Sequence, residues 1–494
     1  MSSPQHPSAT DADSAQLASL GYQSEFRRDM SMWANFALGF TYLSPVVGIY
    51  SVFGIALAMA GPPMIWSLLI VGLGQWLVSL VFGEIVSQYP IAGGVYPWAR
   101  RLWGTRWAWM TGWVYNWALL ITIAGVAFSS GVYLSALLGL EPSSFSNVIC
   151  GIGMIGFATV VNLLGTRVLA FVALLGFAAE LLGALFVGGW LLLFHQHQGF
   201  AALFDSFGAA SIHGSDYLPL FLGASIIGIF QYYGFEACGD VAEEVQDPTR
   251  RIPRSMRLTI YIGGAAATFV CFALIAAVPD IGAVLRGEVA DPVGAIMGDA
   301  FGPVGTRLVY AVVLLSFISC VLSLQAAASR LLYAFGRDRM IAGGAWLAHF
   351  DHVRHVPPYA LLVACVLPMG MVVLSLLSES ALLKMVSWAS LGIYIAFQMV
   401  VLAALRARLR GWQPSGAFRL GAWGLPVNLA ALAYGVCAIT VIAWPWDASL
   451  VWYDKYFLEL MSIGGLLLGY AYMRVTSVHA RVDAPAGDAL ASHA

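Results

Sequence analysis

The chain reads as an all-α membrane protein of twelve transmembrane helices, arranged as a five-plus-five inverted repeat whose first and sixth helices are broken. Three observations predict this. The 494 residues are 60% hydrophobic and only 10% charged, against about 25% charged in an ordinary soluble domain. Apolar stretches of about 20 residues, the length that crosses a bilayer, recur along the sequence. Two of these stretches, five apart in order, are interrupted by glycine, proline or carboxylate residues.

The spans centre near Ser44, Leu73, Thr122, Ile155, Leu182, Ile229, Ala267, Ser319, Leu367, Ile393, Leu432 and Gly464. The third and eighth are longer than a crossing needs, which predicts tilt. The repeats cover about 30–195 and 215–410, two extra helices cover about 423–474, and the whole domain runs over 26–475. Residues 1–25 are polar and lack the basic start and apolar core of a cleaved signal. They and 476–494 are expected to be disordered cytoplasmic tails.

Arg and Lys placement sets the orientation. With the N-terminus inside a plasma (inner) membrane, only Arg286, Arg307, Lys384 and Lys455 of the 24 basic residues face outward. A wrong span count would scramble this bias. The net charge of −2 carries no information on partners, and no nucleic-acid module is visible. The six cysteines lie in or beside apolar spans without metal-ligand spacing and read as small buried hydrophobes. His195, His197 and His213 read as a solvated external loop.

The breaks carry the functional signal. The first span contains Ser44-Pro45-Val46-Val47-Gly48-Ile49-Tyr50, and the sixth contains Tyr232-Tyr233-Gly234-Phe235-Glu236 followed by Asp240, Glu243 and Glu244. In hydrocarbon every backbone N–H and C=O must be paired, so broken helices persist only where freed groups meet protein, water or a ligand. Pro45 removes one N–H, and Gly48 permits close approach. Paired breaks at a five-helix offset mark a midplane substrate site. Half-helix N-termini suit a carboxylate and C-termini suit an ammonium or a cation. The predicted substrate contacts are Ser44, Val47, Gly48, Ile49, Tyr232, Tyr233, Gly234, Phe235 and Glu236, with the aromatic rings closing over the ligand. Asp240, Glu243 and Glu244 are expected to pair with Arg251 or Arg254 as an inner gate.

Several motifs in order resemble those of the amino acid/polyamine/organocation permeases over residues 30–475. They are Gly234-Phe235-Glu236 with Glu243-Glu244-Val245-Gln246-Asp247-Pro248 and Arg251-Ile252-Pro253; Glu84, Pro90, Gly93-Gly94, Tyr96 and Gly112-Trp113; and Ser329-Arg330, Tyr333-Ala334 and Arg337-Asp338. The resemblance implies a LeuT-like inverted-repeat fold, secondary transport, no enzymatic activity, and a site made by helices one, three, six, eight and ten. Glu84 and Arg330 match family positions near the inner face, read as packing and gating groups. The chain looks closer to the amino acid/choline branch, which includes GABA permeases. Where relatives have a Gly-Ser-Gly-type run, this chain has Val46-Val47-Gly48, leaving less room for an α-carboxylate. Some relatives carry a lysine in the fifth helix where this chain has Glu180. That position is 13 residues beyond Arg167, roughly 20 Å along a helix and so at hydrocarbon depth. An ionisable group there is a functional candidate, with a cation, a proton, or Ser319 and Ser323 as its partners.

The leading expectation is a proton-coupled permease for an amino acid, a GABA-like acid or a small amine, working by alternating access without a cofactor. Ser316 and Ser319 also allow a sodium-coupled carrier, and an exchanger and a transporter-like sensor stay open. The expected partners are the small-molecule substrate and the lipid bilayer. The sequence does not specify an oligomeric state.

Overall fold

The computed structural model describes residues 9–489 apart from 24, 141, 142, 379, 447–450 and 483. The described residues form helices and no sheet, with isolated bridges at Met30–Val245 and Asp351–Val356. The helices used below are α1 (Ala9–Ser19), α2 (Met32–Leu43), α3 (Pro45–Ala60), α4 (Trp66–Gln88), α5 (Val95–Trp103), α6 (Thr105–Leu138), α7 (Ser144–Asn162) and α8 (Thr166–Phe194). They continue with α9 (Tyr217–Ala224), α10 (Ile226–Gln231), α11 (Ala237–Asp240), α12 (Pro248–Leu258), α13 (Gly264–Ala277) and α14 (Pro292–Arg337). The chain ends with α15 (Pro358–Leu374), α16 (Ala381–Leu409), α17 (Gly424–Ala443) and α18 (Phe457–Thr476).

Ten helical stretches among the described residues are long and apolar enough to cross a membrane. This is a multi-pass membrane protein. The other two expected spans fall on the shorter apolar stretch Tyr217–Gln231 and on α18, which are not among these ten. The long third span, α6, runs unbroken for 34 residues. The eighth does not. Gly302 sits at φ 62, ψ −176 immediately before Pro303, so α14 is two helices joined at a kink. A backbone at positive φ next to a proline cannot continue an α-helix. Part of the length read as tilt is therefore a separate short helix. A π-turn at Thr259–Gly263 joins α12 to α13.

The breaks fall where the sequence placed them, and both lie in the protein interior. Ser44 separates α2 from α3, and Tyr232–Glu236 separates α10 from α11. Helices α6, α14 and α16 pack around the broken pairs, with Tyr115, Cys320 and Tyr394 fully or almost fully buried.

At the end of the bundle that carries both termini, buried ion pairs tie the helices together. Arg330 donates to Glu244 from Nε at 2.7 Å and from Nη2 at 3.2 Å. Thr166 adds a third bond to Glu244 at 2.6 Å. Arg337 donates to Glu243 at 3.0 Å, and Arg100 is bonded to Asp338. The opposite end is covered by Tyr50, Tyr133 and Tyr310, with ring centroids 6.2 and 5.3 Å apart along the row.

The described parts of both tails depart from the expected disorder. Residues 9–19 are helical. Tyr22 is buried, where its hydroxyl meets Asp338 and Arg100. From the other tail, Asp488 pairs with Arg101, and the Pro485 carbonyl accepts from Arg100 at 3.1 Å. Their Ser/Ala/Asp composition hid this, because the stabilising partners are buried arginines supplied by α5. Cys437 differs from the other five cysteines in being exposed, on a helix face turned away from the bundle.

Arg330→Met leaves Glu244 buried without its charge partner. We expect a loss of about 3–5 kcal/mol, read as a lower midpoint of thermal unfolding in detergent. Adding Glu244→Gln should recover most of it. An unchanged midpoint in the single variant would refute this role for the pair.

Candidate functional site

The site is assembled around Ser44. Its φ of 39 and ψ of 95 end α2, and Pro45 opens α3. Breaking a helix frees carbonyls on one side and N–H groups on the other, and several of these groups have specific partners. The Tyr42 carbonyl accepts from Cys320 at 3.3 Å, and the Leu43 carbonyl accepts from the Gln231 amide at 3.2 Å. On the other side, Val46 N–H donates to Glu180 Oε1 at 2.9 Å, and Val47 N–H donates to Ser44 Oγ at 3.2 Å. Ser44 Oγ in turn donates to Glu180 Oε1 at 2.6 Å. Gly48 N–H returns to the Ser44 carbonyl at 2.9 Å.

The second break is built by Gly234, at φ 120. A Cβ there would lie 2.7 Å from Leu43 N and 2.8 Å from Tyr42 Cδ2. Only glycine lets the two interrupted backbones touch. Gly234 N–H donates to Glu236 Oε2 at 2.7 Å, closing a tight loop just ahead of α11. Tyr115 Oη lies 2.9 Å from Asp240 Oδ2 and 3.3 Å from Glu236 Oε1. It holds one proton to donate between two carboxyl groups. The second oxygen of Asp240 faces Gly94, where a Cβ would approach it to 2.4 Å.

Several predicted residues therefore converge. Ser44, Val47, Gly48, Gly234, Glu236 and Glu180 share one buried junction. Ile49 lies in the same turn of α3, fully buried. Tyr233 meets Tyr42 edge to face at 6.3 Å. Phe235 packs between Phe82 and Phe397. Tyr232 turns away. Its ring sits against Gly72 of α4 and Gly264 of α13, in an apolar groove with Trp66 and Phe272.

The polar partners differ from the expected ones. Glu180 bonds Ser44 and Val46 instead of Ser319 or Ser323. Ser319 donates to Leu315 O at 2.6 Å within its own helix, and Ser323 bonds Thr41 at 2.8 Å. Ser316 donates to Val312 O at 3.4 Å and lines a groove with Val46 and Tyr50. Arg251 reaches Gln246 at 3.2 Å, while Arg330 and Arg337 take Glu244 and Glu243. Asp240 bonds Tyr115 and no arginine. The reason is helix geometry: α14 packs against α11 and brings Arg330 and Arg337, two turns apart near its end, to the carboxylates, whereas Arg251 on α12 reaches only Gln246. His195 and His197 both approach Asp299, at 3.9 and 3.3 Å, on an exposed surface.

Sequence reasoning missed Gln231, Cys320, Tyr115, Tyr42 and Arg337 as junction or lock residues. Gln231 was the most readable of them, an uncharged polar residue at the end of an apolar half-helix.

A family model described as amino acid permease matches residues 30–466. The chain belongs to the amino acid permease family. It is a transporter, and its relatives are carriers and not enzymes. The permease is 28% identical over 467 residues to the amino-acid permease BAT1 of Arabidopsis thaliana, covering 88% of this chain and 89% of that protein. It is 28% identical over 484 residues to the BAT1 homolog of Oryza sativa subsp. japonica, covering 87% of each. A Macrophomina phaseolina protein described as an amino acid/polyamine transporter is 23% identical over 409 residues, covering 78% of this chain and 88% of that one.

Gly234→Ala forces a side chain into a backbone at φ 120, which L residues rarely adopt, and against Leu43. The expected cost is about 1–3 kcal/mol, with uptake abolished even in protein that remains folded. Wild-type uptake by this variant would show that the two breaks need not touch.

Proposed function

We propose that the permease is a secondary carrier for an amino acid, a GABA-like amino acid or a small amine. Alternating access takes place around the junction of α2/α3 with α10/α11. In this reading the chain crosses a plasma (inner) membrane twelve times with both termini cytoplasmic. Two five-helix repeats, about 30–195 and 215–410, move against each other. The observation that carries the reading is the junction itself: two interrupted helices in contact at Gly234 and Leu43, at the depth where backbone disorder is otherwise costly.

Proton coupling runs through Glu180. A carboxyl at hydrocarbon depth whose partners are one hydroxyl and one N–H has no basic group to hold it charged. Taking up a proton would weaken its grip on Val46 N–H and loosen the start of α3. Binding at one site is then linked to motion of a gating half-helix. Sodium coupling is the second reading. It is favoured by the closeness of Ser319 to Gly176, where a Cβ would meet its hydroxyl at 2.5 Å, one turn from Glu180.

The inner gate is the set Glu243–Arg337 and Glu244–Arg330, and Asp240 with Tyr115 links it to the site. Arg251 lies outside it. For the permease to open inward, at least one of these buried pairs must separate. The aromatic row Tyr50–Tyr133–Tyr310 is the outer gate.

In proteoliposomes, an inward proton gradient should drive accumulation of at least one compound among GABA, putrescine, choline, ethanolamine and neutral α-amino acids. Glu180→Gln should retain binding and counterflow exchange but lose gradient-driven accumulation. Unchanged pH and cation dependence in that variant would sink the coupling assignment.

A further inference from the structure

We infer that the exposed face of α12, together with Arg419 in the loop between α16 and α17, binds the headgroup of an anionic phospholipid at the membrane surface. This surface is separate from the junction, and its ligand does not depend on which substrate is carried.

Helix length sets the depth of α12. The helical stretch Pro248–Ala277 has 30 residues, about 45 Å of helix, and the hydrocarbon core takes about 30 Å. The excess matches the 11 residues of α12. Charge decides which end lies outside the core: α12 carries Arg250, Arg251, Arg254 and Arg257, and α13 carries no charged residue. Arg250, Arg254 and Arg257 recur at spacings of four and three, which puts them on one helix face. Arg250 and Arg254 are exposed and Arg257 is half-buried, while Ile252, Ser255 and Met256 on the other face are buried.

These guanidiniums are uncompensated. Arg100, Arg101, Arg330, Arg337 and Arg408 each pair with a carboxylate. Arg250 and Arg254 have no side-chain hydrogen bond or ion pair among the described residues. Arg251 gives one N–H to Gln246 at 3.2 Å, Arg257 one to the Pro253 carbonyl at 3.1 Å, and Arg419 one to the Gly416 carbonyl at 2.9 Å. A guanidinium has five N–H donors, so most of that capacity is left over. The neighbouring acids are engaged elsewhere. Asp247 accepts from Thr249 at 3.4 Å, Asp13 accepts from Asp247 N–H at 2.9 Å, and Glu84 takes Arg408 and Leu420 N–H. Phe418 joins the loop to the helix, its ring centroid 4.7 Å from the Arg257 guanidinium carbon. Phe418 and Pro253 both lie against Gly83 of α4. Trp423, at the start of α17, is 72% exposed, and exposed tryptophan is typical of the membrane–water boundary. Guanidinium forks bind phosphate oxygens bidentately. At headgroup depth the phosphate within reach is that of a lipid, and a negatively charged lipid also balances the excess positive charge.

The full-length permease, delipidated in neutral detergent, would be titrated with phosphatidylglycerol and with phosphatidylcholine of the same acyl chains. Bound lipid would be counted by native mass spectrometry. Phosphatidylglycerol should bind at least about tenfold more tightly, and the double variant Arg254→Gln, Arg257→Gln should lose roughly tenfold or more of that affinity. The double variant Arg474→Gln, Arg481→Gln removes the same charge from exposed positions at and beyond the end of α18, and should leave the affinity unchanged. An equal fall in both double variants would reduce the effect to net charge and overturn the site. Equal binding of the two lipids by wild-type protein would overturn it as well. Excess glycerol 3-phosphate should not displace the lipid; displacement would make this a site for soluble phosphate and not for a headgroup. If the α12 double variant does not fold, Arg250→Gln and Arg254→Gln singly, both at exposed positions, decide by the same comparison with Arg474→Gln.

Discussion

The backbone of a membrane helix cannot be interrupted without finding partners for what the interruption exposes. The permease interrupts two helices side by side, and the surrounding structure follows from satisfying them. Leu43 O needs Gln231 from the other broken helix. Tyr42 O needs Cys320 from α14, and Val46 N–H needs Glu180 from α8. Each requirement ties a different helix to the same few residues. The interior is consequently organised around Ser44 and Gly234, with α8, α10 and α14 all bonded to the residues of the first break.

In the proposed cycle this arrangement lets an apolar bundle rearrange at its centre. Continuous helices such as α6 have their backbone hydrogen bonds internally, so side-chain exchanges do not disturb them. The interrupted halves depend on side chains for closure, and side chains can change partners at low cost. The charge lock at the end carrying the termini has the same character. Glu243 and Glu244 follow α11 and are held by arginines from α14, so in the proposed cycle the interrupted helix would also carry the gate. The tails add a second layer, with Tyr22 and Asp488 bound to Arg100 and Arg101. In the proposed cycle, opening that end would also separate Tyr22 and Asp488 from these arginines.

Much of the junction between the two breaks was readable from residue order because its causes are local. Pro45, Gly48 and Gly234 are legible as breaks, since no neighbouring residue can restore a missing N–H or supply the φ that glycine tolerates. Glu180 is legible from its place in an apolar stretch, because a carboxyl 13 residues beyond Arg167 has only apolar neighbours in sequence. Pairings were less readable. Glu244 has Arg251 seven positions away in sequence, yet it bonds Arg330, because α12 and α14 leave the junction in different directions. Tyr232 and Tyr233 are neighbours with the same side chain, but a loss of helical phase at the break sends one toward α4 and α13 and the other toward Tyr42.

The sequence by itself determined that this is a helical membrane protein, where its apolar segments lie, which two are interrupted, and which carboxyl is stranded at hydrocarbon depth. These follow from hydrophobic length, backbone stereochemistry and the cost of burying charge, all of which are properties of a residue and its immediate neighbours. Only the tertiary structure decided which partner each freed group takes. Those choices depend on helix crossing directions and the rotation of each face, and they bring residues more than a hundred positions apart within 3 Å, as with Ser44 and Glu180 at 2.6 Å.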